Sequence, residues 1–492
     1  MSEKLNLKNS TLVYIFLSLI FVLTIQIFDP FRGNAAHLIH SIKHFDTNKL
    51  ENDWIANQAH HLPVFVQFNY FLIKFFSSKV IYFIHGVLLA LCALYLFLIS
   101  KNLFPKLKTR NLTIIWFALF TILFHENSFF SGVAGQSVID VGYQPASFGI
   151  LFFIGIYYFL IKKYFLCILF ICLGASFHPT YVLHSGFLVL GILSYLILYK
   201  NYQNFLKTLI IYSILILPIT LFIITNFLTI DENLISLGQE ILLDRIPHHA
   251  DIKYWLSYKD LFFLVTYFYA LYILRNNRQF FIFFLIFGTC PILLSLIQYF
   301  YDINSLALAF PWRSSVFITP ISSVIILSSW IEKIELDIHK LKIVSFLLLL
   351  FTSTFFFIKS HFIKDLNSEF TNKLILSEEI KKNSDSIERI LIPTNLDYIR
   401  MYTGLPIFIN WKHHAFRFDQ LIEWRQRMDL ADEFYSNNNI ESQLLKLKQI
   451  ERIENISHIL INKDKLKIEC DDLINHETFI LVDAKACYEN RY

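Results

Sequence analysis

The chain has 492 residues, 55% of them apolar and only 17% charged, with a mean hydropathy of +0.49. A soluble protein of that size has no use for so much apolar surface, so a lipid phase must cover part of it. The net charge of +4 gives no basis for nucleic-acid binding.

Lys4 and Lys8 precede an apolar run at 11–28. No small-x-small cleavage site follows in Ile25-Gln26-Ile27-Phe28-Asp29-Pro30, so the run reads as an uncleaved signal anchor. Further apolar runs lie at 80–99, 111–124, 146–161, 164–177, 181–198, 208–228, 260–274, 279–300, 315–331 and 343–358. Basic residues gather in every second connection: Lys101 to Arg110, Lys162-Lys163, Lys200 to Lys207, Arg275 to Arg278, and Lys333 to Lys342. The positive-inside rule makes those connections cytoplasmic. Segment 63–76 is apolar but short, and it holds Gln67, Asn69 and Lys74. Counting it as a span inverts every later basic loop, so it is expected to be interfacial or re-entrant within a first outer loop, 29–79.

From about 360 the chain becomes charged. Apolar runs at 390–393, 406–410, 458–461 and 479–482 read as buried strands, and 362–383 and 416–436 as helices. The expected fold class is therefore mainly α. A polytopic α-helical membrane domain, 1–358, has about eleven transmembrane helices, and a small extracytoplasmic α/β domain, 359–492, follows it. Cys92, Cys167, Cys172 and Cys290 fall in apolar runs as inert thiols. Cys470 and Cys487 lie in the tail, either as a disulfide or as two free thiols.

The conspicuous polar residues all fall on the outer side in this topology. Asp29 ends the first span, where a falling dielectric raises a carboxyl pKa toward that of a general base. The same residue, followed by Pro30, also suits a helix N-cap. Asp53 is a second acidic candidate, beside Trp54, which is either an interface anchor or a sugar platform. Segment 34–46 carries His37, His40 and His44 opposite an apolar stripe, the pattern of a helix lying in the interface with its histidines wetted. The His40/His44 spacing is that of metal ligands, but the sequence assigns no metal set and no cofactor, and leaves a divalent metal open. His60, His61, Arg245, His248 and His249 suit a phosphate or pyrophosphate. Arg313 grips such a group or snorkels to headgroups. His178 is either a site residue or a hydrogen-bonded helix end. No P-loop, Rossmann glycine pattern, HExxH or GxSxG is present.

The early span, the acidic residue after it, the long first outer loop and the outer C-terminal domain together resemble the GT-C membrane glycosyltransferase superfamily. Arg-Ile-Pro-His-His at 245–249, His-Pro-Thr at 178–180, Phe-Pro-Trp-Arg at 310–313 and Trp-Lys-His-His at 411–414 resemble bacterial multispan proteins of that type with a C-terminal domain of unknown function. The resemblance implies a polyprenyl-phosphate-linked sugar donor and an envelope acceptor, with Asp29 and less securely Asp53 as catalytic residues. It also implies a bacterial inner-membrane location, with the N-terminus cytoplasmic and the C-terminal domain periplasmic. The adjacent acidic pair of many such enzymes is absent, since Pro30 follows Asp29. A lipid or polysaccharide transporter or flippase is the main competing expectation, although the spans hold few charges and show no repeat. A non-catalytic membrane protein with a partner-binding outer domain is the other.

Overall fold

The computed structural model describes residues 2–26, 35–45, 49–126, 129–140, 142–228, 232–335, 337–359, 361, 368–437, 439–463 and 472–489. The longer helices are α1 (Ser2–Ile25), α2 (Pro63–Phe76), α3 (Val80–Leu103), α4 (Arg110–His125), α5 (Ile150–Leu160), α6 (Tyr164–Phe177), α7 (Tyr181–Leu198) and α8 (Tyr202–Ile223). They continue as α9 (Glu232–Arg245), α10 (Tyr258–Leu274), α11 (Arg278–Tyr301), α12 (Ser315–Glu332), α13 (Ile338–Ile358), α14 (Ser368–Lys382), α15 (Phe418–Ser436) and α16 (Ile440–Ile453). Polar caps start several of them. Asn201 and Asn277 accept backbone N–H bonds at the heads of α8 and α11, and Ser257 with Asp260 closes a capping box on α10, so the first-turn donors are satisfied.

Six helical stretches are long and apolar enough to cross a membrane: Val80–Leu103, Tyr181–Leu198, Tyr202–Phe227, Arg278–Tyr301, Asn304–Glu332 and Ile338–Ile358. The expectation of about eleven spans is corrected here. The other five expected spans are helices too, but short ones, and α6 has only 14 residues. At the usual rise that is about 21 Å, against a hydrocarbon core of about 30 Å. Lys163 precedes α6, and an extended His178 followed by Pro179 ends it, because the residue before a proline avoids the helical region. The segment 63–76 forms a helix of the same length. The short helices α5 and α6 bury most of their residues inside the bundle, where protein rather than lipid surrounds their ends.

Lipid-facing stripes lie on the outer helices. Leu206, Ile210, Ile214, Leu217 and Leu221 are exposed along α8, and Ile343, Phe346, Leu350 and Phe351 along α13. By contrast α12 is enclosed over nearly its whole length. Exposed apolar side chains in three- and four-residue steps on membrane-length helices are the surface a bilayer covers.

The C-terminal part forms a four-stranded sheet ordered β1 (Ile390–Leu391), β2 (His458–Asn462), β4 (Phe479–Asp483), β3 (Asp472–Asn475). Strands β1 and β2 are parallel, and the other pairs are antiparallel. Alternate residues serve two cores. Leu391, Ile459, Ile461, Ile480 and Val482 join the core that includes α15 and α16. Ile390, Leu460 and Leu481 join a second core with Leu376 and Ile380 of α14. This period of two with both faces buried is why the strands read as unbroken apolar runs. The expected strand at 406–410 is reduced to one bridge, Ile407 with Ile390. Its backbone N–H at Ile407 is committed to Asp53 instead. Cys487 is disulfide-bonded. Its expected partner Cys470 lies outside the described residues, and the four cysteines of the apolar helices are free.

Candidate functional site

The site is built from the ends of α6 and α12, the loop before α5, the segment 245–249, the first loop, and the turn 410–414. Arg313 is its centre. It lies in a 3-10 turn, Pro311–Ser314, that leads into α12. Phe310, just before Pro311, takes a left-handed conformation with φ 51°, which is strained for an aromatic residue. The Arg313 Nε donates to Gln136 Oε1 at 2.7 Å, and Nη1 donates to Thr180 Oγ1 at 3.1 Å. That hydroxyl lies 2.7 Å from His178 Nδ1, to which it can donate. His184 Nδ1 meets Ser314 Oγ at 2.8 Å. The guanidinium is thus aimed by neutral groups, with no carboxylate against it among the described residues.

The loop carrying Gln136 is pinned to the head of α12. Val133 N–H donates to Ser315 Oγ at 2.9 Å, and Ser131 bridges Ser137. A Cβ on Gly132 falls 2.6 Å from the backbone nitrogen of Val316, so only glycine allows this approach. Ala134 and Gly135 both adopt left-handed conformations, φ 57° and 64°, and swing Gln136 back to Arg313.

A second group of cations and imidazoles lies beside the first. Arg245 donates from Nε and Nη2 to the Trp411 carbonyl at 3.0 and 2.8 Å, and its guanidinium stacks 4.5 Å above the Trp411 ring. The His249 carbonyl accepts from Trp312 Nε1 at 2.9 Å, which ties 245–249 to the residue next to Arg313. Burial, and then neighbouring His248, Arg313, Lys412 and Arg245, lower the His249 pKa to about 3. His37 is lowered to about 3 by burial and by His414, Lys412 and Arg313. His61, packed on Phe416 with ring centroids 3.6 Å apart, is held well below the usual range by burial and by His37, His178 and His414. Among the described residues every charged neighbour of these three imidazoles is cationic, so the site favours an anion.

Several buried polar atoms here lack partners: His61 Nδ1, Gln136 Nε2, His184 Nε2, His249 Nδ1 and His413 Nε2. Unpaired buried groups are costly, and their gathering around Arg313 and the 410–414 turn suits a bound polar ligand. No three His, Cys, Asp or Glu side chains among the described residues are grouped to hold a metal ion.

The sequence candidates divide clearly. Arg313, His178, His249, Arg245 and His61 come together. His60 stacks on His40 at the margin, 4.9 Å between ring centroids. His248 is exposed and lies against His249. Asp29 lies outside the described residues. Asp53 is placed elsewhere: fully buried, its Oδ2 accepts from Arg400 Nε at 2.8 Å and from Ile407 N–H at 3.1 Å, and its Oδ1 from Ala56 N–H at 2.9 Å. With both oxygens engaged it is a structural anion, which corrects its assignment as a catalytic residue. Trp54 lies under the Arg427 guanidinium, 4.3 Å from its ring, neither in lipid nor open to a sugar. The expected wetted face of 34–46 is also corrected: His37 and His40 are half-buried, His40 contacts the Ala56 carbonyl at 3.0 Å, and only His44 is open.

Thr180, His184 and Ser314 were missed as site residues. His184 carried a legible signal, an ionisable side chain inside an apolar helix. Thr180 and Ser314 carried none, because hydroxyls are common at helix ends.

Fold and site together define a mainly α membrane protein with a cationic, histidine-rich pocket beneath a small α/β domain. Residues 374–431 match a domain of unknown function (DUF6798), and that stretch holds Arg400 and the whole 410–414 turn. No curated protein matches the chain.

Proposed function

We propose that this chain is a membrane glycosyltransferase of GT-C type. Its donor is a sugar on a polyprenyl phosphate, used at the periplasmic face of a bacterial inner membrane. The observation that carries the reading is Arg313, a buried cation oriented by Gln136 and Thr180 among unpartnered imidazole and amide nitrogens. Such a group stabilises the negative charge that develops on a departing phosphate. The apolar stripes on α8 and α13 suit a lipid-borne substrate that approaches within the bilayer. In the reaction an acceptor hydroxyl attacks the anomeric carbon. The bond from that carbon to the phosphate oxygen breaks, its electron pair leaves with the phosphate, and Asp29 takes the hydroxyl proton. The short helices around the pocket complete the expected eleven crossings as partial spans, with the basic turns cytoplasmic.

The test is complementation of a deletion strain. Asp29→Asn and Arg313→Ala proteins, present in the membrane at normal level, are expected to leave a surface glycan or glycolipid unmade that the native chain restores. Full restoration by both variants removes this reading.

A further inference from the structure

Two features of the pocket are left over once Arg313 is assigned to one phosphate. The first is a second cationic centre. Arg245 is spent on the Trp411 carbonyl and ring and so holds the 410–414 turn in place. The turn is fixed from its other end as well. Asn410 Oδ1 accepts from the buried Arg400 Nη1 at 3.0 Å and from the His413 N–H at 3.3 Å, and Trp424 Nε1 donates to the His413 carbonyl at 3.0 Å. Lys412 stands between these two anchors, exposed at the mouth of the pocket, and none of the ion pairs among the described residues includes it. The second feature is that the unpartnered atoms fall in two groups. Gln136 Nε2 and His184 Nε2 belong to residues that contact Arg313 or its neighbour Ser314. His413 Nε2 and His61 Nδ1 lie by the 410–414 turn. His249, whose carbonyl is bound to Trp312, joins the two and lies in the field of Arg313, Arg245 and Lys412 together.

We infer that the pocket takes a lipid diphosphate, with Arg313 on one phosphate and Lys412 of the C-terminal domain on the other. This rests on the reading of the pocket as a phosphate-lipid site. It makes the 410–414 turn part of that site, and the domain over it a contributor to donor recognition. One cation suffices for a monophosphate. Two cationic centres, each with its own unpartnered donors, fit an anion with two separate charged groups. A flexible lysine at the rim also suits the phosphate that must enter and leave, whereas the guanidinium in the bundle is fixed.

The experiment uses full-length protein in nanodiscs, with geranyl diphosphate, geranyl monophosphate and inorganic pyrophosphate as calorimetric probes. The native protein is expected to bind geranyl diphosphate about tenfold or more tighter than the monophosphate, the scale of one charge-assisted contact. Lys412→Ala is expected to abolish that preference, and Lys412→Arg to keep it. Lys412 is exposed, so neither substitution threatens folding. Equal affinity for the two lipids, or a preference that survives Lys412→Ala, overturns the inference and leaves the phosphate-lipid reading standing. Pyrophosphate bound as tightly as geranyl diphosphate assigns the pocket to a free anion and overturns it as well. Binding of neither lipid removes the underlying reading and the inference with it.

Discussion

Arg400 donates from Nε to Asp53 Oδ2 at 2.8 Å, with both side chains wholly excluded from solvent. The pair joins the first loop to the C-terminal domain across more than three hundred residues of chain. It is reinforced by Lys49 N–H on the Gly404 carbonyl, Arg389 Nη2 on the Asn52 carbonyl and Ala59 N–H on Gln420. Through Asn410 the same guanidinium holds the turn that carries Lys412.

Breaking this pair from one side is expected to be costly. Asp53→Ala leaves a buried guanidinium without a counter-charge, and such losses run to about 3–5 kcal/mol. Replacing both partners, as in Asp53→Leu with Arg400→Met, is expected to be milder, because neither charge is then stranded. The Ala56 and Ile407 N–H groups still lose an acceptor, so the double variant stays below the native protein. Thermal unfolding of the detergent-purified variants ranks the three. Equal loss in the single and double variants contradicts the argument.

The Arg313 cluster separates binding from stability with one substitution. Gln136→Glu is nearly isosteric and puts a carboxylate about where the amide oxygen now accepts from Arg313. The new pair neutralises the guanidinium, so affinity for a phosphate lipid is expected to fall roughly tenfold or more. Thermal stability is expected to stay level or rise, because the buried cation gains a partner. A calorimetric titration beside a melting curve reads both. Unchanged affinity removes Gln136 and Arg313 from the binding site.

The sequence made the helices legible because their apolar runs are bounded by basic turns and prolines, as at Lys163 and Pro179 around α6. It did not show that α6 is too short to span, because 14 apolar residues look alike whether lipid or protein surrounds them. The strands at 458–462 and 479–483 were readable from their β-branched runs. Strand β3 and helix α16 were not recognised, although Ile440, Gln443, Leu447 and Ile450 of α16 form a buried helical stripe. Arg245, His249 and Arg313 were found as cations beside prolines and aromatics at helix ends. Asp53 misled because a carboxylate in a loop looks the same in sequence whether it faces substrate or a distant arginine. Only the fold brings Arg400 to it.

The turn that delivers Gln136 depends on two small residues. Gly132→Ala places a methyl against the Val316 backbone, which cannot yield as a flexible side chain does. The loop is expected to lift from the head of α12, with phosphate-lipid affinity reduced roughly tenfold and stability lowered by about 1–3 kcal/mol. Ala134→Gly works in the opposite direction. It relieves a left-handed alanine, φ 57°, and is expected to be neutral or stabilising by up to about 1 kcal/mol. Melting curves for the two variants should diverge in sign, and a loss of stability in Ala134→Gly counts against the strain.

The imidazoles give the pocket a pH dependence whose sign follows from burial. Burial first, then cationic neighbours, lower His37 and His249 to about 3 from an ordinary 6.5. Burial also lowers His414 to about 4, together with Arg245 and Lys412. Each therefore binds fewer protons in the folded chain than in the unfolded one between those values. Their contribution to stability is complete above about pH 6.5 and is lost as the pH falls toward 3 to 4. An anion in the pocket reverses the electrostatics, since a phosphate beside these rings raises their pKa values. Binding is then expected to take up protons, and to tighten as the pH falls from 7 toward 5 while the ligand-free protein loses stability. Calorimetry at pH 6 in two buffers of different ionisation heat measures the proton count directly. Proton release on binding, or affinity that weakens on acidification, contradicts an anion lodged among His37, His249 and His414.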